Sequence, residues 1–380
     1  MKKSKVYFTD MRTNGVSLLD KLKKLIRTAG IGTLPLDGKF VAVKIHFGEP
    51  GNLSFLRPNF ARAVADVIKE HGGKPFLTDC NTLYTGRRKN ALDHIEAAYE
   101  NGFSPYATGC QIIIADGLTG KDEVWVPVEG GELVTEAKIG RAVMDADVFV
   151  SLNHFKGHEA AGFGGAMKNI GMGCGSRAGK MEQHNGGKTA VRAVKCVGCR
   201  KCAVECAHGA ISFENNKAVI DQNKCVGCGR CIHACRAEAI YQPGDSANED
   251  LCKKIAEYAK AVVQNRPQFH INIVNQVSPY CDCHAENDAP IIPDVGMFAS
   301  FDPVALDMAC ADACNAQPAY ANSVLGENLL TCGGHEHNGI VEHDGDRFIN
   351  TFPTTDWRVT LAHGEKLGVG TREYELVVVK

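Results

Sequence analysis

Eight of the chain's seventeen cysteines fall into one pattern used twice. Cys196, Cys199, Cys202 and Cys206 read C-x2-C-x2-C-x3-C, and Cys225, Cys228, Cys231 and Cys235 repeat it 29 positions later. Each half has Val-Gly inside its first Cys pair, a Lys before it, and Ala-Ile after its fourth Cys. A repeat of one short unit predicts a pseudo-twofold pair. Three closely spaced thiolates wrap only one side of a four-iron cube, so the fourth ligand comes from the other half. The spacing therefore assigns Cys196, Cys199, Cys202 and Cys235 to one [4Fe–4S] cluster. It assigns Cys225, Cys228, Cys231 and Cys206 to a second. Zinc is the competing reading of C-x2-C pairs, but a tetrahedral ion has no use for the third and fourth cysteines in register.

The stretch resembles a bacterial-type two-cluster ferredoxin, with one departure. Ala207 and Arg236 stand where that family's run ends in proline. The remaining nine cysteines are scattered and odd in number, which suits a reducing cytoplasm better than a secreted disulfide scaffold. The first residues carry lysines but no apolar core, so no signal peptide is expected. No apolar run approaches the roughly 20 residues that span a bilayer. At 44% hydrophobic and 23% charged, with a net charge of −2, the chain reads as a globular protein with no reason to bind nucleic acid or membrane.

Around the cysteine repeat, strand-like and helix-like patterns alternate. Strands are expected at 5–9, 40–45, 75–78, 112–115, 124–128, 147–152, 271–274, 295–299 and 375–379. Helices are expected at 16–28, 58–71, 91–100, 249–264, 303–313 and 357–366. Such alternation predicts an α/β fold, a mainly parallel sheet with helices on both faces. Residues 191–243 interrupt it between Gly186-Gly187 and Pro243-Gly244. The expected organisation is an α/β domain in two parts, 1–190 and 244–380, with a small α+β ferredoxin-type domain inserted at 191–243.

Ligands of open α/β sheets sit beyond the carboxyl ends of the strands. The residues expected there are His46, Asp79, Cys80, Asn81, His154, Lys156, His158, Asn275, Gln276, Ser300 and Asp302. A glycine-rich run from Gly162 to Gly175 follows, carrying Lys168 and Asn169, and then come Arg177 and Lys180. Glycines and a helix N-terminus suit an anion, and four cations over about 25 residues add charge; a flexible tether for the inserted module explains the same glycines. Neither phosphate-loop nor dinucleotide glycine spacing is present. Cys281-Asp282-Cys283-His284 is a second concentration, suited to a soft metal, a further cluster or a reactive dithiol, or to a loop of plain reduced thiols. His335 and His337 in a Gly-rich loop read as solvated, and Cys310 with Cys314 as helix packing.

The segments 79–84, His154-Phe-Lys156-Gly-His158, Ala166-Met-Lys168-Asn169-Ile-Gly171, Cys281-Asp-Cys283 and Asp302-Pro-Val-Ala-Leu-Asp307 resemble the family catalogued as domain of unknown function 362. Its members often carry an inserted two-cluster ferredoxin. The resemblance covers roughly residues 40 to 315. It implies a family site made of Asp79, His154, Lys156, Lys168, Asn169, Cys281, Cys283 and Asp302. Two function classes follow. In one, the clusters exchange electrons with the polar pocket, with reductive chemistry on an anionic ligand. His154 or His158 then supplies a proton, while Lys156, Lys168 and Asp79 shape the site. In the other, the protein is a ferredoxin-like electron carrier whose α/β domain docks a redox partner. Oligomeric state is not legible in the sequence.

Overall fold

The computed structural model describes residues 3–83, 86–184, 189–206, 208–225, 231, 234–237, 239–241, 246–331 and 345–380. Eight strands make one central sheet: β1 (Ser4–Asp10), β2 (Phe40–Lys44), β3 (Lys74–Asp79), β4 (Ile112–Ile114), β5 (Val148–His154), β6 (Gln268–Val274), β7 (Gly296–Ser300) and β8 (Tyr374–Val378). Their order is β8-β1-β7-β6-β5-β2-β3-β4. Every neighbouring pair is parallel except the two that involve β7, which runs against both β1 and β6. The mainly parallel sheet follows the alternation in the sequence. The reversal of β7 does not, because hydrophobic periodicity carries no direction.

Side chains alternate across the sheet, and each face has its own core. Val41, Val43, Val148, Val150 and Leu152 pack with helices Leu18–Thr28 and Pro58–Glu70 through Leu22, Ile26, Phe60 and Val64. Ala42, Phe149 and Phe298 point the other way, against helices Ala166–Cys174, Ser246–Val263 and Pro303–Asn315 through Ile170, Ala259 and Leu306. Each such Leu, Ile or Val contributes about 1.5–3 kcal/mol when fully buried. The expected strand at 124–128 forms, as Glu123–Pro127, but pairs with Glu136–Gly140 in a separate hairpin.

Helix Ala166–Cys174 takes most of the glycine-rich run. Its glycines serve close packing: a Cβ on Gly171 would lie 2.0 Å from the Ile255 carbonyl oxygen, and one on Gly165 2.4 Å from Asp307 Oδ1. Residues 190–241 make two small sheets of their own, Ala190–Val191 with Ile240–Tyr241 and Ile211–Glu214 with Lys217–Ile220. Gly186, Gly187, Pro243, Gly244, Cys228, His335 and His337 lie outside the described residues. Among the described residues no helix is long and apolar enough to cross a membrane.

Candidate functional site

From β2 the chain steps to β3 and β4 on one side, whereas β5 and β6 lie on the other. The sheet therefore has a topological switch point between β2 and β5, the usual ligand crevice of open α/β sheets. The loops after β2, β5 and β6 meet there. Glu49 N–H donates to the Asp282 carbonyl at 2.9 Å, and Gly157 N–H to the Ser278 carbonyl at 2.8 Å. Beyond β5, Lys156–His158 pairs with Gly162–Gly164 in a tight hairpin, with Gly162 at φ 77. Gly157 has no alternative, since a Cβ there would lie 2.4 Å from the Pro279 carbonyl oxygen.

The Cys281–His284 turn lies against this hairpin. His284 N–H closes the turn on the Cys281 carbonyl at 3.1 Å. Asp282 is fully buried, with His154 Nδ1 2.9 Å from Oδ1 and Lys156 Nζ 3.3 Å from Oδ2. Its contacts with His154 and Lys156 outweigh burial and hold the Asp282 carboxyl below its usual range. Lys168 Nζ donates to Cys281 Sγ at 3.4 Å. The mutual influence of the two thiols, then the Lys168 and Lys156 charges, holds Cys281 well below the usual thiol range, and the same coupling pushes Cys283 well above it. Burial works against the Lys168 ammonium, but the two sulfurs outweigh it and its pKa rises. The result is a thiolate, a thiol and an ammonium in one small space.

The histidines here do not have the roles expected for them. His154 Nε2 lies 2.8 Å from the Asn275 carbonyl oxygen and Nδ1 faces Asp282, so the ring is a buried strut. His158 Nδ1 accepts the N–H groups of Ala160 and Ala161, both at 3.1 Å, which leaves Nε2 with the proton. Burial pushes its pKa down to about 4. His158 is thus neutral at pH 7, with Nε2–H as a hydrogen-bond donor. Outside it, Glu159 Oε1 meets His284 Nε2 at 3.0 Å, which raises the His284 pKa.

Under helix Ala166–Cys174 a row of buried polar groups crosses the sheet. Lys44, with no exposure at all, lies 3.0 Å from Asp79 Oδ1 and donates to Asn169 Oδ1 at 2.6 Å. Asn169 Nδ2 donates to Asn153 Oδ1, Asn153 Nδ2 to Asn272 Oδ1, and Asn272 Nδ2 to Asp307 Oδ1. Asp307 then receives the Ala166 and Met167 N–H groups at 2.7 and 2.8 Å, capping the helix that carries Lys168. A buried charge costs several kcal/mol unless paired, which is why Lys44 and Asp79 occur together. Beyond Asp79, Arg88 pairs with Glu49 at 2.8 Å and lies 3.0 Å from His46 Nε2. His94 is buried with neither ring nitrogen hydrogen-bonded, and its pKa falls to about 3.

Lys156, His158, Lys168, Cys281 and Cys283 thus come together, with His154 as support. Asp79 and Asn169 join through Lys44. Asp302 does not. Because β7 is antiparallel, its carboxyl end lies at the opposite edge of the sheet, where Asp302 accepts from Ser4 Oγ and Thr371 N–H and caps helix Pro303–Asn315. The anion expected at the glycine-rich helix N-terminus is the protein's own Asp307. Lys44, Glu49, Arg88, Glu159 and the roles of Asp282 and Asp307 escaped sequence reading. For Asp282, its place between two cysteines was the available signal. Lys44, an isolated Lys ending an apolar strand, offered another.

In the cysteine repeat, Cys196, Cys199, Cys202 and Cys235 line one small cavity, walled by Phe213, Ala218 and Ile240. Main-chain N–H groups aim at the sulfurs: Ala218 to Cys196 at 3.4 Å, Ala210 to Cys206 at 3.3 Å and Ala239 to Cys235 at 3.2 Å. The last two are repeat-equivalent. Thr189 Oγ1 lies 3.5 Å from Cys231 Sγ and 3.7 Å from Cys225 Sγ. Among the described residues, no three His, Cys, Asp or Glu side chains form a single-ion ligand set. The donor type, four cysteine sulfurs around one small cavity, fits a thiolate-bound group.

The chain is 28% identical over 168 residues to Thylakoid-associated protein sll1697 of Synechocystis sp.. That match spans 42% of this chain and 46% of the relative, less than half of its length. Among solved structures, the lactate racemase apoprotein from Thermoanaerobacterium thermosaccharolyticum aligns with 99% of this chain and 83% of its own, at 11% identity and a TM-score of 0.40. A Thermotoga maritima protein aligns with 78% of this chain and 57% of its own, at 14% identity and a TM-score of 0.35. Residues 41–312, the span from β2 through the Asp307 helix, match the family described as Domain of unknown function (DUF362), and the chain belongs to that family.

Proposed function

We propose that this protein is an iron–sulfur redox protein whose α/β domain carries out reductive chemistry on an anionic ligand at the switch-point pocket. The observation that carries the reading is the Lys168–Cys281 contact at 3.4 Å, where a partly buried ammonium meets two cysteines free of disulfide at the strand ends. Cys196, Cys199, Cys202 and Cys235 would hold one [4Fe–4S] cluster, and Cys206, Cys225, Cys228 and Cys231 the other; when bound, they supply one-electron transfer. The Ala210, Ala218 and Ala239 N–H groups offset charge on the cysteine sulfurs. Lys156 and Lys168 hold negative charge in the pocket. His158 Nε2–H orients the ligand, and Asp282 with His154 keeps Lys156 in place.

The covalent path also supports it. Helix Arg177–His184 ends at His184, whose pKa is pushed down to about 4 by burial and by nearby His158 and Lys168. Cys196 follows twelve residues later. Near exposed Cys199 in sequence, Val197, Arg200, Lys201 and Val204 are also exposed, a basic and apolar stretch suited to a redox partner protein. Native mass spectrometry of holoprotein prepared without oxygen tests the assignment. About eight irons per chain, on four per cluster, is the expected result. Stoichiometric zinc without visible charge-transfer absorbance would sink it.

A further inference from the structure

The sulfurs at 281 and 283 are close but not equivalent. Cys281 is buried, whereas Cys283 is partly exposed, and both are free. The turn holding them is pinned from inside by Asp282. An ammonium 3.4 Å from Cys281 Sγ opposes a metal cation at that sulfur and favours a thiolate. Lys156 lies on the same side, its Nζ 3.4 Å from the Cβ position of Gly164 and Lys168 Cδ 3.5 Å from it.

We propose that Cys283 and Cys281 are a redox-active dithiol that reduces small organic disulfides, with Cys283 as attacking sulfur and Cys281 first as its base and then as resolving sulfur. The proposal deepens the pocket reading and rests on it for the location of the site, but not on the clusters. Cys283 gives its proton to the Cys281 thiolate as its sulfur bonds one sulfur of the substrate. The substrate S–S bond breaks and a thiolate leaves. That thiolate takes the proton from Cys281. The regenerated Cys281 thiolate attacks Cys283 Sγ, forms the Cys281–Cys283 disulfide and expels the second substrate thiolate. Two electrons pass from the cysteines to the substrate, which departs as one thiol and one thiolate.

Three features support this order. The thiol that must meet a substrate is the partly exposed one. The two cysteines stand two residues apart on one turn, closed by the His284 N–H on the Cys281 carbonyl at 3.1 Å, and their thiols shift in opposite directions, as for one shared proton. Lys168 and Lys156 face the sulfur that carries negative charge before and after the first step.

The test uses the full chain, reduced and free of oxygen, exposed briefly to oxidised glutathione and, separately, to uncharged 2-hydroxyethyl disulfide. Acid quenching, thiol blocking and peptide mass spectrometry then read each cysteine. The expected wild-type product is the Cys281–Cys283 disulfide. Cys281→Ser should stop at a mixed disulfide on Cys283, and Cys283→Ser should slow modification of Cys281 at least tenfold. A wild-type protein whose two sulfurs stay unmodified, or that reacts first at Cys281, overturns the proposal without recourse to either variant. Disulfide formation in protein that binds no iron would remove the cluster reading and keep this one. Iron-replete protein with an inert pair does the reverse.

Discussion

Lys168 and Cys281 are 113 residues apart in sequence, yet the ammonium of one lies 3.4 Å from the sulfur of the other. Lys168 stands on the helix capped by Asp307, and Cys281 on the turn anchored by Asp282. Two internal carboxylates thus set one distance between a cation and a thiolate.

That contact predicts a separation of effects. Lys168→Met removes the charge with little loss of bulk, and the Cys281 thiolate loses its main cationic partner. Iodoacetamide labelling of the pair at pH 7, read by peptide mass spectrometry, should slow as the Cys281 thiol loses the charge that holds its pKa down. Visible cluster absorbance should not change, because the substitution touches none of the repeat cysteines. Turnover with the native redox partner should be lost in Lys168→Ala. Full activity there would mark the protein as an electron carrier alone.

The cluster ligands should group by space and not by sequence. Cys235→Ser should lose the same four irons, approximately, as Cys196→Ser, and the double variant should lose no more. Combining Cys235→Ser with Cys225→Ser should remove both sets. Iron analysis with electron paramagnetic resonance of reduced protein gives the count. Loss of irons by sequence half would break the crossed assignment.

Much of this was legible beforehand, and the gaps have physical causes. The ranges of β2, β3 and β5 and of helix Pro58–Glu70 follow from apolar spacing and its glycine stops. The cysteine repeat reappears as twin N–H···S bonds from Ala210 and Ala239. Helix Ala166–Cys174 was hidden because its two glycines, Gly171 and Gly173, signal a loop unless a partner helix requires them. Asp302 was misplaced because strand direction leaves no trace in periodicity. Asp307 looked like part of a helix pattern, and its role depends on a helix 140 residues earlier.

Gly171→Ala tests that helix contact. A methyl group 2.0 Å from the Ile255 carbonyl must push apart two backbones. The expected cost is about 1–3 kcal/mol or more, seen as a lower denaturant midpoint. An unchanged midpoint would mean that the two helices have room to separate.

Buried histidines predict an acid-side loss of stability. His270 is fully buried, and its pKa falls from 6.5 to about 3; His94 and His158 shift the same way. Below pH 6.5 the unfolded ring takes a proton that the folded ring refuses, so stability drops as pH falls toward 4. Between pH 7 and 5, His270→Gln should reduce that drop by about 2 kcal/mol. Urea unfolding at the two pH values measures it, and an equal drop in both proteins would show that His270 titrates normally when folded.

The reversal of β7 also bears on how the chain can be made. β1 finds its partner β7 only after nearly three hundred intervening residues, the Ser4–Asp302 separation being 298. At roughly 5–20 residues per second of synthesis, β1 waits on the order of 15–60 s for that partner to exist. Throughout that interval β2, β3, β4 and β5 can already associate, since all four precede residue 155 and are mutually adjacent. The half of the sheet that bears Lys44 and Asp79 can therefore form before the residues around Cys281, which complete the crevice, have been synthesised.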